Sequence, residues 1–414
     1  MLSRPINRWW TVLAGAMGCA AGAGVVATYV FGIFIKAISA EYGWDRSATT
    51  ASISCFYFVS GIGSVVLGSV ASRWSIRWVT LAWVALFALS VASIAILPAS
   101  VPLFCLMFGI MGFFGAAATA MPYAVAISGW FDRNRGMALA IAVSGTGIAG
   151  AFMSRYANWL MENFGWRGGY VGVALFVGLL GATALILFFR EPPAPSQAAL
   201  AERGPGLVEL YTRHPTFWLI AAPIFMISLA LIGTITNFAP IATDRGLTVG
   251  EAAALLGMLG GASWFSRIGL GVLLDRIHVR YVSSSIFLII AIGCALILAG
   301  VTGPWLALAV ILVGLGMGAE TDLLTYTTSR YFPPRALARA LGAAWIFFAW
   351  GSALGVFVGS LSFDLTGSYA AALTLYIICA IASAAIILRL GAYRYAGHDP
   401  EDELGVAPRP AVAH

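Results

Sequence analysis

Charge is what this sequence has least of. Only 10% of its 414 residues are Asp, Glu, Lys or Arg, while 60% are hydrophobic; a soluble protein carries about 25% charged residues. That balance excludes a soluble enzyme, a secreted disulfide scaffold and a disordered regulator. Lysine is nearly missing, since 22 of the 23 basic residues are Arg and Lys36 stands alone. The five cysteines (Cys19, Cys55, Cys105, Cys294, Cys379) sit singly in apolar runs without CxxC spacing. They read as small hydrophobes rather than metal ligands or disulfides. His214, His278, His398 and His414 fall in a linker, a loop and the tail, so no metal site is expected. No GxxxxGK loop exists, so neither ATP nor any other cofactor is expected. The net charge of +6 comes from scattered residues and not from a basic stripe, which argues against nucleic acid as a partner.

What is present is hydrophobic length. Uncharged stretches cover 9–35, 47–72 and 78–131, the last divided by Pro98 and Pro102. Further spans are expected at about 137–161, 168–189, 215–243, 252–274, 281–299, 304–329, 340–363 and 365–388. The fold class is therefore an all-α polytopic membrane protein with twelve transmembrane helices. Its organisation is a six-helix bundle at 1–189, a proline-rich linker at 190–214, a second bundle at 215–389 and a tail at 390–414 expected to be disordered. The first apolar run is too long for a signal-peptide core and reads as a span. With the N-terminus inside, seventeen basic residues flank the inner ends and four (Lys36, Arg46, Arg167, Arg245) the outer ends. This bias places both termini in the cytoplasm of a cell whose inner membrane holds the protein.

The halves repeat at an offset of 203: Gly43 with Gly246, Gly68 with Gly271, Arg73 with Arg276, Arg77 with Arg280. Two similar six-span halves suit a carrier whose central site opens to each side in turn. The segment Gly271-Val-Leu-Leu-Asp275-Arg276-Ile-His-Val-Arg280 resembles the signature of the major facilitator superfamily. Its echo at 68–77 has Ser72 in place of the acid and Ser75 in place of a glycine. Four further motifs are similar to the monocarboxylate-porter branch and its oxalate/formate-antiporter-like bacterial relatives. They are Gly43-Trp44-Asp45-Arg46-Ser47, Trp130-Phe131-Asp132-Arg133, Gly165-Trp166-Arg167 and Asp364-Leu365-Thr366-Gly367-Ser368-Tyr369. The resemblance implies gating by Arg73, Arg77, Asp275, Arg276 and Arg280. A purely topogenic, turn-forming role for these residues stands beside that reading.

Four ionisable residues enter the spans: Arg155, Arg267, Glu320 and Asp322. Each costs ~2.5–3.5 kcal/mol at mid-membrane and so marks a candidate site. Arg267, Glu320 and Asp322 have Ser64, Ala117 and Thr119 as counterparts, so the shared scaffold does not require them. Depth pairs Arg267 with Glu320 on facing spans, either as a structural ion pair or as a site. In the second case the Arg267 guanidinium binds a carboxylate, and Glu320 or Asp322 takes up a proton, because desolvation disfavours a charged carboxylate. The resemblance supports Arg267 as the anion-binding arginine of span eight. It also places the family's span-one lysine near Tyr29, its span-eight acid at Ser263 and its span-eleven lysine near Trp350. One remaining cation suits a monoanion better than a dianion such as oxalate. Trp264, Trp345, Phe348, Tyr123 and Tyr326 lie at cavity depth and suggest an apolar or aromatic body on the ligand, although aromatics in spans also simply pack. Arg155 is read as snorkelling or pairing with Glu162, with a second anion contact as the alternative. The Gly145-Thr-Gly147-Ile-Ala-Gly150 run lacks the strand a dinucleotide loop needs. Its glycines, like Gly351, Gly355 and Gly359, are expected to let helices approach and slide.

The expected function is secondary transport of a small organic monocarboxylate by alternating access, in symport with protons drawn from their gradient. The expected unit is a monomer in the lipid bilayer. The alternatives are an exporter or exchanger of an uncharged or aromatic solute, with the Arg267–Glu320 pair structural, and, more remotely, a membrane sensor or enzyme.

Overall fold

Apolar runs of this length fold as helices because in lipid every backbone amide and carbonyl has to be satisfied within its own segment. The computed structural model describes residues 8–71, 74–131, 135–191, 215–274, 276–332 and 334–393, and no strand occurs among them. The spans are α1 (Trp9–Tyr42), α2 (Arg46–Ala71), α3 (Ile76–Ser93) and α4 (Val101–Gly115, resuming as Ala120–Trp130). After α5 and α6 come α7 (Pro215–Asp244), α8 (Val249–Leu274), α9 (Val279–Leu298), α10 (Gly303–Tyr331), α11 (Pro334–Thr366) and α12 (Ala370–Ile387). α5 and α6 are the two arms of Arg135–Thr183. Straight, those 49 residues would reach ~74 Å, more than twice the ~30 Å hydrocarbon core. The chain instead folds back at Gly165, where φ is 66° and ψ is 177°.

The helix ends form two faces. The linker side is where α6 ends and α7 begins; the far side carries the turns after α1 and α7. On the far side the repeat partners Gly43 and Gly246 both take positive φ, 66° and 90°. That conformation suits a residue without Cβ. On the linker side Ser75 and His278, also 203 apart, cap α3 and α9 by accepting from the amides of Trp78 and Arg280. Ser75, a departure from the signature, is thus the residue that starts α3. Arg77 donates to the Leu185 and Ile186 carbonyls (3.0 and 2.6 Å), and Arg280 to that of Leu390 (3.1 Å). Each arginine therefore fastens the first turn of one span to the chain at the end of another in its own half. The expected linker and tail lie outside the described residues from 192 to 214 and from 394 onward.

Small residues set how closely the helices pack. A Cβ on Gly112 would stand 2.1 Å from the Phe56 carbonyl, whereas one on Gly109 would meet only a Val59 methyl at 3.4 Å. Gly112→Ala is therefore expected to destabilise the α2–α4 pair by ~1–3 kcal/mol and Gly109→Ala to be tolerated. Thermal unfolding of the two purified variants checks this, and equal melting temperatures would refute it. Gly351 and Gly355 meet the carbonyls of Phe225 and Leu229 on α7. They let α11 approach α7 closely inside the second half.

The halves meet mainly along two lines, and α1 also touches α7, where Gly32 lies against the Thr236 carbonyl. α2 faces α11, where Phe58 stacks on Trp350 (5.1 Å, 10°) and Gly61 abuts Ala349. α5 faces α8, where Gly147 lies against the Trp264 backbone. Between these lines is a cavity of about 1260 Å³. Two helix breaks border it, at Gly22 in α1 (φ −69°, ψ 149°) and at Thr119 in α4 (φ −117°, ψ 177°).

Candidate functional site

The cavity extends to the linker side, where Leu139, Leu274, Tyr326 and Arg330 form its wall near the ends of α5, α8 and α10. Arg267 of α8 and Glu320 and Asp322 of α10 line it together. Arg267 Nη1 donates to Asp322 Oδ1 at 2.7 Å. Thr321 Oγ1 lies 3.5 Å from both terminal nitrogens of the arginine. The arginine side chain is 6% exposed and the aspartate 30%, so Asp322 forms the cavity surface with the guanidinium behind it.

Depth in the membrane suggested Arg267 and Glu320 as partners, and the geometry corrects this. Two residues apart on a helix, Glu320 and Asp322 point about 200° apart around the axis, so only one of them can turn to the same arginine of α8. Glu320 is buried, and its Oε1 has no hydrogen-bond partner among the described residues.

Of the expected aromatic wall, Tyr29, Trp345, Phe348 and Tyr326 do line the cavity. The Tyr29 hydroxyl donates to Met317 Sδ at 3.2 Å, joining α1 of one half to α10 of the other. Trp264 and Tyr123 are not on the cavity wall. The Trp264 backbone is held against Gly147, and the Tyr123 hydroxyl fills the space that a Cβ on Gly18 would occupy. Arg155 is exposed, and Asn158 donates to Glu162 at 2.8 Å. Of the gating set, Arg73 and Asp275 lie outside the described residues, Arg276 is exposed, and Arg77 and Arg280 bond within their own halves. Those carbonyl bonds stay inside each half at this open end and do not bridge it.

Sequence reasoning missed several wall residues. Cys19, taken for filler, lines the cavity, as does the Thr28–Tyr57 hydroxyl pair (3.2 Å). The signal that could have found them was a set of polar side chains in otherwise apolar spans.

The far side is latched across the halves. Lys36 Nζ reaches Asp244 Oδ1 at 2.6 Å. Arg46 holds the same carboxylate with both terminal nitrogens (2.5 and 2.9 Å) and lies over the Phe363 ring at 3.7 Å. Asp364 of α11 accepts from the amides of Arg46 and Ser47 (3.1 and 2.6 Å), so it caps α2 from the other half. The counterpart helix α8 is capped within its own chain segment by Thr248 and Glu251.

Twelve spans in two repeated halves, meeting around one cavity that is latched at one end, agree with a comparison of sequences. The profile of the Major Facilitator Superfamily matches residues 16–356. The chain belongs to the major facilitator superfamily. As a member it is a multi-pass membrane transporter and not an enzyme. It is 28% identical over 353 residues to monocarboxylate transporter 11 of Homo sapiens, covering 80% of this chain and 73% of that one. It is 26% identical to the MFS-type transporter YcxA of Bacillus subtilis, covering 82% and 85%. Among solved structures, a bacterial homologue of the human lysosomal transporter Spinster superposes with a TM-score of 0.69 at 16% identity, covering 93% and 95%. That likeness concerns the fold.

Proposed function

We propose that this transporter carries a small organic monocarboxylate in symport with protons, by alternating access across a cell's inner membrane with both termini cytoplasmic. The observation that carries the reading is the shielded Arg267–Asp322 pair on the cavity wall. A guanidinium is a fork for carboxylates, and Asp322 already occupies it in the way a substrate carboxylate would. Two ionised carboxylates sharing one poorly hydrated cation repel each other. Substrate therefore displaces Asp322 from Arg267 as Asp322 gains a proton, and releasing both restores the pair. The pairing singles out Asp322 over Glu320 for this exchange. With the termini cytoplasmic, the linker-side opening faces the cytoplasm and the far-side latch closes the outer path. Similarity to monocarboxylate transporters supports the substrate class.

Asp322→Asn tests the coupling. In proteoliposomes with an imposed pH gradient, the variant is expected to exchange carboxylate for carboxylate but to lose pH-driven accumulation. Full accumulation in the variant would remove Asp322 from the proton path.

A further inference from the structure

The five cysteines are not alike. Cys19, Cys294 and Cys379 are buried, whereas Cys55 on α2 and Cys105 on α4 are half-buried. Cys55 and Cys105 are also neighbours, each thiol lying within hydrogen-bonding reach of the other. Fifty residues separate them in the chain, so no CxxC spacing announces the pair.

The helices they stand on explain the meeting. On α4, Cys105, Gly109 and Gly112 follow at steps of four and three, which places them within ~60° of one another around the axis. Gly109 and Gly112 of this face meet Val59 and Phe56 of α2. Farther along, a Cβ on Gly63 would stand 2.4 Å from the Phe113 carbonyl, so the backbones themselves touch. Cys105 continues the glycine face by one turn toward the far side, and Cys55, one turn before Val59, is the α2 residue that receives it. A disulfide needs Cα atoms ~4.4–6.8 Å apart, and a seam that runs at backbone contact two turns away favours that separation.

We propose that Cys55 and Cys105 are a redox pair, a dithiol that a small-molecule disulfide oxidises to an intramolecular disulfide between α2 and α4. One cysteine, as thiolate, attacks the S–S bond of the oxidant, and half of the oxidant leaves as a thiolate. The second cysteine, deprotonated in turn, attacks the protein-side sulfur of that mixed disulfide and expels the other half. Two protein thiols are oxidised, one external disulfide is reduced to two thiols, and the cysteine protons pass to the departing thiolates. Cys105 lies four residues into α4, ~6 Å from its start, so the oxidant meets the pair near the far-side surface rather than at mid-membrane. With the termini cytoplasmic, as proposed above, that surface faces the compartment in which disulfides persist. The chemistry itself needs only the two helices. The bond ties α4 to α2, the helix that Asp364 caps and Trp350 stacks on from the other half.

The test is oxidation of the reduced, purified full-length protein with dithiodipyridine. Excess reagent is removed before denaturation, alkylation with N-ethylmaleimide and mass mapping. Wild type is expected to lose two alkylatable thiols, to carry no pyridyl adduct at Cys55 or Cys105, and to yield a cross-linked fragment containing both. Cys105→Ser lacks the second thiol, so it is expected to hold the reagent on Cys55 as a stable mixed disulfide. Cys55→Ser is expected to do the same on Cys105. Closure is expected to raise the melting temperature of wild type, because the cross-link restricts the unfolded chain. Two separate pyridyl adducts in wild type, two thiols still open to alkylation, or dimers cross-linked through these cysteines would each overturn the inference. So would a lower melting temperature on closure, the mark of a bond that strains the seam.

Discussion

Arg267→Gln is expected to cut carboxylate affinity about 10- to 100-fold, the equivalent of removing one charge-assisted hydrogen bond from a shielded site. The same substitution strips Asp322 of its partner. Removing one member of a buried pair costs more than removing both, so Arg267→Gln alone is expected to unfold at a lower temperature than Arg267→Gln/Asp322→Asn. The double variant is the more informative of the two. It removes the charge from the wall without leaving a bare carboxylate, and so separates loss of binding from loss of fold. Counterflow of radiolabelled acid in proteoliposomes measures the first, and thermal unfolding in detergent the second. If the folded double variant moves the acid at unchanged affinity, Arg267 does not bind it. The pair is then structural, and other groups of the wall hold the carboxylate.

Asp244→Asn is expected to favour the state open on the far side. Asp244 gathers Lys36 and both terminal nitrogens of Arg46, so one carboxylate serves two cations of the other half. It is partly exposed, at 28% of its side chain, which lowers the value of each contact. For the bidentate and lysine contacts together we expect ~1–2 kcal/mol, about a five- to thirtyfold change in the ratio of states. Spin labels at Ala40 and Gly250, at the far ends of α1 and α8, report it as a larger population at long distance in double electron–electron resonance. An unchanged distribution would show that the latch does not hold the halves together. The Asp364 cap on α2 is untouched in this variant, so Asp244→Asn/Asp364→Asn is expected to shift the ratio further.

The sequence made the scaffold legible because membrane helices advertise themselves by apolar length and because the chain contains its own comparison. Pairs 203 residues apart do matching jobs: Gly43 and Gly246 in turns, Ser75 and His278 at helix starts, Arg77 and Arg280 as fasteners. The charged residues of the site were legible too, since few side chains that cost so much enter the spans. Their pairing was not. Counting residues gives height along a helix, but Glu320 and Asp322 differ in azimuth, and that depends on how α10 is rotated against α8. For the same reason Tyr123 and Trp264 were assigned to a wall they do not form. The far-side latch was hidden for another reason. Arg46 and Asp364 both lie in recognisable motifs, yet 318 residues separate them, and no periodicity in the sequence links a loop to a loop in the other half.

The contacts between the halves have a mechanical consequence. Along α2–α11 and α5–α8 the close approaches are those of a glycine to a methyl group or a backbone, and Phe58 and Trp350 stack flat instead of interlocking. Such lines behave as an axle with little friction, because one half can tilt on the other without rotamers having to change. Leverage then does the rest. An arm of ~15 Å, half the membrane core, tilted by roughly 15°, carries its end about 4 Å. That stroke exceeds the reach of every ion pair in the latch, so Lys36, Arg46 and Asp364 let go together rather than one by one. Under the proposed alternating access, a single angle would then gate the cavity.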